Sequence, residues 1–280
     1  MLKIDFCSDL HMEINTGLFP KSIMHDTPGD ILILAGDTLT YRHFNLNRTD
    51  SESRAMRKRF KMLLEDHFAD YKHIIMIPGN HEYYGHYFYG SDQEMTSILK
   101  NIDSRIQLMN DDFLVIDNTA IICSTLWVDF DKGNPLVEIA VQDGMNDFRV
   151  IKVNDLPSGS LGNTFKAHHA RARHVESLKF IKQAYEEHNA AGRNIIVATH
   201  HGPSYQSHNT FRFGDSDLKH GYLSELDPWI IDTNIKYWIH GHTHHDINYM
   251  IGNTNVISSM YGYAGYDRFT DDFKLGRIEI

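Results

Sequence analysis

Short apolar runs recur along the chain between polar, turn-forming segments. Uninterrupted runs such as residues 31–35 are typical of strands buried on both faces of a sheet. The predicted strands cover residues 2–8, 31–35, 73–77, 105–109, 113–116, 120–127, 194–198, 235–239, 248–250, 255–258 and 277–280. An Asp-Asn turn separates residues 113–116 from residues 120–127, and this pair therefore predicts a hairpin in a second sheet.

Three longer segments carry apolar residues at helical spacing. One covers residues 52–68, another follows a capping-box pattern at residues 91–94, and the longest covers residues 166–191, before Gly192. Residues 129–162 contain scattered Gly, Pro and Asp, and predict an irregular loop or small cap. The alternation of strands and helices predicts an α/β protein.

Five of the predicted strands end in polar loops rich in Asp, Asn and His. In open α/β sheets, ligands bind beyond the carboxyl ends of the strands, where these loops lie. Each loop alone is equally consistent with a turn or a helix cap. The side chains that the five loops supply are Asp9 and His11, Asp37, Asn80 and His81, His200, and His242 and His244.

This set combines carboxylate, amide and imidazole ligands without a thiolate. Such a set suits Mn, Fe, Zn or Ni rather than a structural, cysteine-based zinc. It offers too many ligands for one tetrahedral ion and about enough for two. The loop at residues 240–245 holds four histidines, which on its own is equally consistent with a polar surface turn. Together, the five loops predict a site for two divalent metal ions.

Composition narrows the class of protein. The chain has 280 residues, 41% of them hydrophobic and 23% charged, which is ordinary for a globular protein. Its formal charge of −10 argues against stable nucleic-acid binding. The two cysteines predict no disulfide, and we find no signal peptide and no apolar run long enough to span a membrane. We therefore expect a cytoplasmic protein with no membrane partner.

The order of the five loops, Asp-x-His, Gly-Asp, Gly-Asn-His-Glu, His and Gly-His-x-His, resembles that of the calcineurin-like metallophosphoesterases. The resemblance implies a four-layer α/β/β/α sandwich of two mixed sheets flanked by helices. We expect a single domain over residues 1–280, with a small cap from residues 129–162 and 205–222. The flanking segments 8–13, 78–85, 124–127, 145–148 and 199–204 are similar to those of bacterial and phage members without a settled substrate.

By matched position, the resemblance also implies a role for each residue. The ligands would be Asp9, His11 and His244 for the first ion, Asn80, His200 and His242 for the second, and Asp37 bridging both. A hydroxide held between two such ions can attack phosphorus in line. His81 would lie by the leaving-group oxygen and act either as a general acid or by stabilising the charge of the transition state.

Five further residues carry weaker hypotheses. His201 could contact the substrate phosphate, Tyr83 could stack on an aromatic group and Arg149 could bind a phosphate oxygen. The alternatives are a histidine outside the site, core packing and a surface ion pair, respectively. Glu82 and Asp246 are candidates to orient metal-ligating histidines, or are ordinary exposed acids.

The substrate is predicted only by class. The segment after Gly36-Asp37 lacks the Val-Asp-Arg-Gly sequence of the Ser/Thr protein phosphatases. The doubled His200-His201 favours a phosphodiesterase acting on small, nucleotide-like phosphoesters. The alternatives are a phosphomonoesterase (a nucleotidase or protein phosphatase-like enzyme), a nuclease, and a non-catalytic metal-binding scaffold.

Overall fold

The computed structural model describes residues 1–17, 19, 23–154, 162–210, 214–267 and 273–280, and these form two mixed sheets. The strands of the first sheet are β1 (Lys3–Cys7), β2 (Ile31–Ala35), β3 (His73–Ile77), β4 (Ile106–Leu108) and β11 (Gly276–Glu279). Their order is β11-β1-β2-β3-β4. Strands β1 to β4 are parallel, and β11 is antiparallel to β1.

The second sheet contains the predicted hairpin. Its strands are β5 (Asp112–Ile116), β6 (Thr119–Ser124), β7 (Asn194–Thr199), β8 (Ile235–Ile239), β9 (Asn248–Ile251) and β10 (Thr254–Ile257). Their order is β5-β6-β7-β8-β10-β9. The four central strands are parallel, and the edge strands β5 and β9 are antiparallel to their neighbours.

Helices flank the sheets. They are α1 (Ser51–Asp66), α2 (Ser91–Ile102), α3 (Phe130–Gly133), α4 (Pro135–Gly144), α5 (Asp147–Val150), α6 (Ala167–Ala190) and α7 (Asp227–Ile230). Short 3₁₀ turns lie at Tyr41–His43, His81–Tyr83, Tyr205–Ser207 and Asp217–Gly221. Within the described residues, no helix has both the length and the apolar character needed to cross a membrane.

Alternate residues of the central strands enter different layers of the core. In β2, Ile31 and Ile33 pack between the two sheets, whereas Leu32 and Leu34 belong to the cluster that contains Phe60 of α1. Both faces of β2 are buried, which explains its uninterrupted aliphatic sequence. A third cluster joins the outer face of the second sheet to α6. The predicted α/β/β/α sandwich is therefore confirmed.

Two local predictions were wrong. The described part of residues 129–162 contains the helices α4 and α5 rather than wholly irregular chain, whereas α3 is a single left-handed turn with positive φ at Phe130, Asp131 and Lys132. Helix α4 begins where the Asn134 side chain accepts a hydrogen bond from the Leu136 N–H. Leu136 and Ile139 are exposed on α4, which blurs its helical pattern. The capping box at residues 91–94 is absent, because Gly90 occupies the N-cap with a positive φ of 89° and Ser91 lies within the helix.

The two segments predicted as a cap contact each other. Leu218, in the turn Asp217–Gly221, lies 2.4 Å from an ideal Cβ built at Gly144, at the end of α4. Gly221 similarly approaches Met145 and Val141. A side chain larger than hydrogen at either glycine would require the facing Leu218 or Met145 side chain to move. Residues 155–161 and 211–213 of the predicted cap lie outside the described residues.

Candidate metal centre and cavity

The predicted ligands follow the carboxyl ends of five parallel strands from the two sheets. The strands and the residues that follow them are β1 with Asp9 and His11, β2 with Asp37, β3 with Asn80, β7 with His200, and β8 with His242 and His244. All seven side chains meet in two adjoining clusters. Sequences far apart in the chain thus form one centre because the parallel strands end on one side.

Backbone strain recurs at these strand ends. Residues with positive φ there include Asp9 (57°), His11 (43°), Asp37 (53°), His242 (75°) and His244 (49°). Residues other than glycine seldom adopt this conformation, which costs roughly 1–3 kcal/mol at each position. Strain of this kind is typical of functional sites, and here it forms the sharp turns that bring the side chains together.

The first cluster consists of Asp9, His11 and His244. The Nε2 atoms of the two histidines are 3.0 Å apart, and Asp9 Oδ1 lies 3.3 Å from His244 Nε2. The opposite ring nitrogens are bonded to carboxylates, with His11 Nδ1 3.1 Å from Glu13 and His244 Nδ1 3.0 Å from Asp267. These outer bonds fix both rings with Nε2 facing the cluster.

The second cluster is centred on Nε2 of His200. This atom lies 3.0 Å from Asn80 Oδ1, 3.1 Å from His242 Nδ1 and 3.4 Å from Asp37 Oδ1. His200 Nδ1 bonds the Ala35 carbonyl at 3.0 Å. Asp37 also faces the first cluster, because its Oδ2 lies 3.6 Å from His11 Nε2. Asp37 therefore lies between the two clusters.

Both the donor set and the orientation of the rings fit divalent cations. Two unprotonated ring nitrogens 3.0 Å apart repel each other unless a cation or a proton lies between them, as at His11 and His244. Outer nitrogens bonded to a carboxylate or a carbonyl are the usual support of a metal-ligating histidine. Nitrogen and oxygen donors without a thiolate suit the Mn, Fe, Zn and Ni group.

The charge of the centre also favours cations. Burial alone would lower the pKa of His200, but Asp37 and Asp9 raise it to about 9. Burial likewise opposes protonation of His244, whose pKa Asp267 and Asp9 raise to about 10. Without ions, these two rings hold protons that balance the buried carboxylates. Cation binding would therefore release protons.

His81 lies at the edge of the two clusters. Its backbone N–H donates to Asp37 Oδ1 at 2.9 Å, and its Nδ1 lies 2.8 Å from Glu13 Oε1. The ring stacks on Tyr84 with centroids 4.0 Å apart. Burial would lower the pKa of His81, but Asp37 and Glu13 raise it to about 9. The imidazole is therefore protonated near neutral pH and oriented towards the centre.

This geometry agrees with the comparison of the chain with known families. Residues 2–246 match the calcineurin-like phosphoesterase family. The chain belongs to this family. Members depend on a dinuclear metal centre, and the chain is accordingly a metal-dependent phosphoester hydrolase.

Individual relatives add the extent of the similarity. An uncharacterised protein of Acanthamoeba polyphaga mimivirus is 24% identical over 282 residues, with 92% of this chain and 90% of that protein covered. Phosphopantetheinyl hydrolase from Mycobacterium tuberculosis has a TM-score of 0.65 at 14% identity, covering 99% of this chain and 95% of that one. A dimetal phosphatase from Danio rerio has a TM-score of 0.56 at 9% identity, covering 99% of this chain and 91% of that one. The two structures show a shared fold.

In this phosphoesterase, the carboxylates that orient the candidate ligands are Glu13, Asp147 and Asp267. Asp147 accepts a hydrogen bond from Asn80 Nδ2 at 2.8 Å, and the other two bond histidines as described. The sequence pattern did not predict this role for any of the three carboxylates. Glu13 and Asp147 lie within segments similar to the family, which was the available signal, whereas Asp267 lies in no recognisable motif.

Glu82 and Asp246, which were predicted to orient histidines, bond the backbone instead. The Glu82 carboxylate accepts hydrogen bonds from the N–H groups of Asp37 and Gly79 at 2.9 and 2.6 Å. Asp246 accepts one from the Met260 N–H at 3.3 Å. Glu82 therefore stabilises the loop that carries Asp37. It does not orient the ring of a metal-ligating histidine.

The three weaker substrate candidates lie away from the centre's open side. His201 is fully buried behind the centre, with its ring 4.5 Å from that of His242 and 5.1 Å from that of Trp127, and it does not line the described cavity wall. Tyr83 is also buried, and its hydroxyl donates to Asp92 at 2.9 Å. Arg149 is exposed and bonds the Asp143 carbonyl. His81 and the open side of the candidate metal centre, by contrast, border a cavity.

This cavity has a volume of about 690 Å³, within the usual range for small-molecule sites. Metal-ligand candidates form its floor, and both predicted cap segments contribute to its walls. Among the described residues, the side chains that line it include Glu13, Arg42, His81, Tyr84, Tyr222, Tyr263 and Asp267. The centre is therefore open to a substrate of nucleotide size.

Proposed function

We propose that this protein is a phosphodiesterase that hydrolyses small, nucleotide-like phosphodiesters with two divalent metal ions. The observation that carries this proposal is the pair of adjoining clusters beside His81, at the floor of one cavity. Seven oxygen and nitrogen donors, with outer hydrogen bonds that fix their rings, are suited to two ions rather than one.

The candidate ligands would divide between the two ions as their match to the family's positions implies. Asp9, His11 and His244 would hold one ion, Asn80, His200 and His242 the other, and Asp37 both. Two divalent ions, when bound there, supply charge that neutralises the phosphoryl oxygens and activates the attacking water. Glu13 and Asp267 hold the rings of His11 and His244 in orientation, so that little rearrangement is required during turnover.

His81 would donate the proton that the leaving oxygen requires. Nδ1 of its ring is bonded to Glu13, so Nε2 is the atom available to the substrate, 4.0 Å from Asp37 Oδ2. The hydrogen bond between Nδ1 and the Glu13 carboxylate favours the protonated form of the ring, and a positioned histidine typically contributes about 10²–10⁴ in rate. His81 is thus both an acid and a source of positive charge.

The charge of the cavity supports a diester rather than a monoester. Of the described residues that line it, Arg42 is the one lysine or arginine, and it lies 3.3 Å from Glu52. Glu13 and Asp267 add negative charge to the walls. Apart from the two ions and His81, the described wall therefore offers few cations for the second charge of a monoester dianion, which favours a singly charged diester. His201 is buried and does not line the described cavity wall, so it lends no support to a diester.

Turnover of paired model substrates tests the proposal. The protein is stripped with a chelator, reconstituted with Mn, Ni, Fe or Zn, and assayed with bis-p-nitrophenyl phosphate and p-nitrophenyl phosphate. We expect hydrolysis that requires metal and a higher kcat/KM for the diester. A preference for the monoester would favour the phosphomonoesterase alternative. A folded, metal-loaded protein that hydrolyses neither substrate would refute the proposal.

A further inference from the structure

Two tyrosine rings flank the candidate metal centre from opposite clusters. The ring of Tyr263 lies 4.7 Å from that of His11 and 4.6 Å from that of His244. The ring of Tyr222 lies 4.7 Å from that of His242. Both tyrosines line the cavity. Each cluster therefore has one tyrosine on its open side.

The hydroxyl groups of these two tyrosines differ from that of Tyr84. The Tyr84 hydroxyl is committed to Asp147, to which it donates a hydrogen bond at 2.6 Å. Within the described residues, the hydroxyls of Tyr222 and Tyr263 have no such partner, although both belong to the cavity wall. A phenol in a partly buried position that bonds no protein group is available to a ligand.

The backbone fixes both rings in place. The N–H of Tyr263 donates to Asp267 Oδ2 at 2.6 Å, the same atom that bonds His244. Tyr222 lies just after the turn Asp217–Gly221, and its carbonyl accepts a hydrogen bond from Gly202 at 3.1 Å. Gly202 follows His200-His201 closely in the chain. Tyr263 is thus tied to the carboxylate that orients His244, and Tyr222 to the loop that supplies His200.

We propose that Tyr222 and Tyr263 are substrate-binding residues whose hydroxyls donate hydrogen bonds to the oxygens of a phosphodiester. The proposal rests on the function proposed above and assigns the substrate contacts of that site. A tyrosine hydroxyl is a neutral hydrogen-bond donor. Neutral donors suit a singly charged diester, because they bind its oxygens without the further cations that a dianion requires.

Removal of the hydroxyl alone separates substrate binding from packing. Tyr222→Phe and Tyr263→Phe keep the rings that pack on the histidines. We expect each substitution to lower kcat/KM for bis-p-nitrophenyl phosphate about 10-fold, and the double variant about 100-fold, because a hydrogen bond to a charged group is lost at each site. Metal content should stay unchanged. Tyr89→Phe, at an exposed tyrosine outside the described cavity wall, is the matched control.

A binding measurement distinguishes this proposal from the proposed function. Calorimetric titration of the metal-loaded proteins with diphenyl phosphate should give an approximately 10-fold higher Kd for each variant than for the parent or Tyr89→Phe. If the parent protein binds diphenyl phosphate but hydrolyses no phosphoester, the proposed function is refuted. The Kd values of the variants then still test whether the two tyrosines bind the diester. Unchanged Kd and kcat/KM in the double variant would overturn the tyrosine assignment. A parent that neither binds nor hydrolyses would overturn both.

Discussion

Nδ1 of His81 lies 2.8 Å from Oε1 of Glu13, and the same oxygen lies 3.1 Å from Nδ1 of His11. One carboxylate therefore orients both a candidate metal ligand and the candidate proton donor. Burial opposes ionisation of Glu13, but its bonds to the two histidines lower its pKa to about 2. The carboxylate is thus ionised throughout the physiological range.

Substitution of Glu13 should affect catalysis through these two rings. In Glu13→Gln, the amide keeps one acceptor oxygen but loses the charge that both imidazoles share. We expect kcat to fall about 10- to 100-fold, with weaker metal binding, as for other groups that support metal ligands. Steady-state kinetics and calorimetric titration with Mn²⁺ would measure the two effects. If neither quantity changed, Glu13 would have no positioning role.

His81→Ala separates proton donation from metal binding. Because His81 is not among the seven candidate ligands, the variant should keep its metal content, as measured by mass spectrometry. Its kcat for bis-p-nitrophenyl phosphate should fall about 10²–10⁴-fold. His168→Ala, on the exposed side of α6, should retain the full rate. An undiminished rate in His81→Ala would disprove the role assigned to His81.

Gly79 allows a close approach that the centre requires. A Cβ atom built at this position would lie 2.2 Å from Asp37 Oδ1 and 2.8 Å from His200 Cε1. Gly79→Ala should therefore displace Asp37 and reduce both metal content and turnover more than 10-fold, an order-of-magnitude expectation from the loss of ligand support. Gly17→Ala is the control, since nothing lies within 4 Å of its added Cβ. Equal activity of the two variants would contradict the described packing.

Away from the centre, the buried Asp5 ties β1 to β11. It accepts hydrogen bonds from Arg277 at 2.6 Å and from Tyr71 at 2.6 Å. Burial alone would raise the pKa of Asp5, but these bonds lower it below its ordinary value. A lowered pKa stabilises the fold above the unfolded-state pKa of about 3.9, and this stabilisation is lost as the pH falls through the folded-state value.

The consequence is a stability difference that depends on pH. Asp5→Asn should lower the free energy of unfolding by about 2–4 kcal/mol at pH 7, because Arg277 loses its buried partner. The difference from the parent protein should shrink as the pH falls below about 4, where the parent carboxylate also becomes protonated. Urea denaturation at several pH values would measure it. A difference that stayed constant with pH would argue against an ionised Asp5.

The sequence predicted the fold well because the central strands are buried on both faces. Their aliphatic runs, such as Ile31–Ala35, are unmistakable, and each ends directly in a polar loop. The candidate ligands could thus be located before any contact between them was known. By contrast, α4 was missed because Leu136 and Ile139 face solvent and disturb the helical pattern.

The partners of the ligands were harder to predict. Asp267 reaches His244 through a loop in which the Gly262 N–H donates to the Asp9 carbonyl at 2.9 Å. Such a contact depends on the tertiary path of the backbone, which no local spacing encodes. The same holds for the hydroxyls of Tyr222 and Tyr263, which bond no side chain in the described part of the chain, since only the folded chain reveals which tyrosines already have partners.

The central claim is that two metal ions per chain support phosphodiester hydrolysis. The most direct measurement titrates metal-free protein with Mn²⁺ and follows bis-p-nitrophenyl phosphate turnover against bound metal. We predict little activity at one ion per chain and saturation at two, because Asp37 lies between the two clusters and each supplies its own histidines. Full activity with one ion or none, or no turnover at two, would contradict the account.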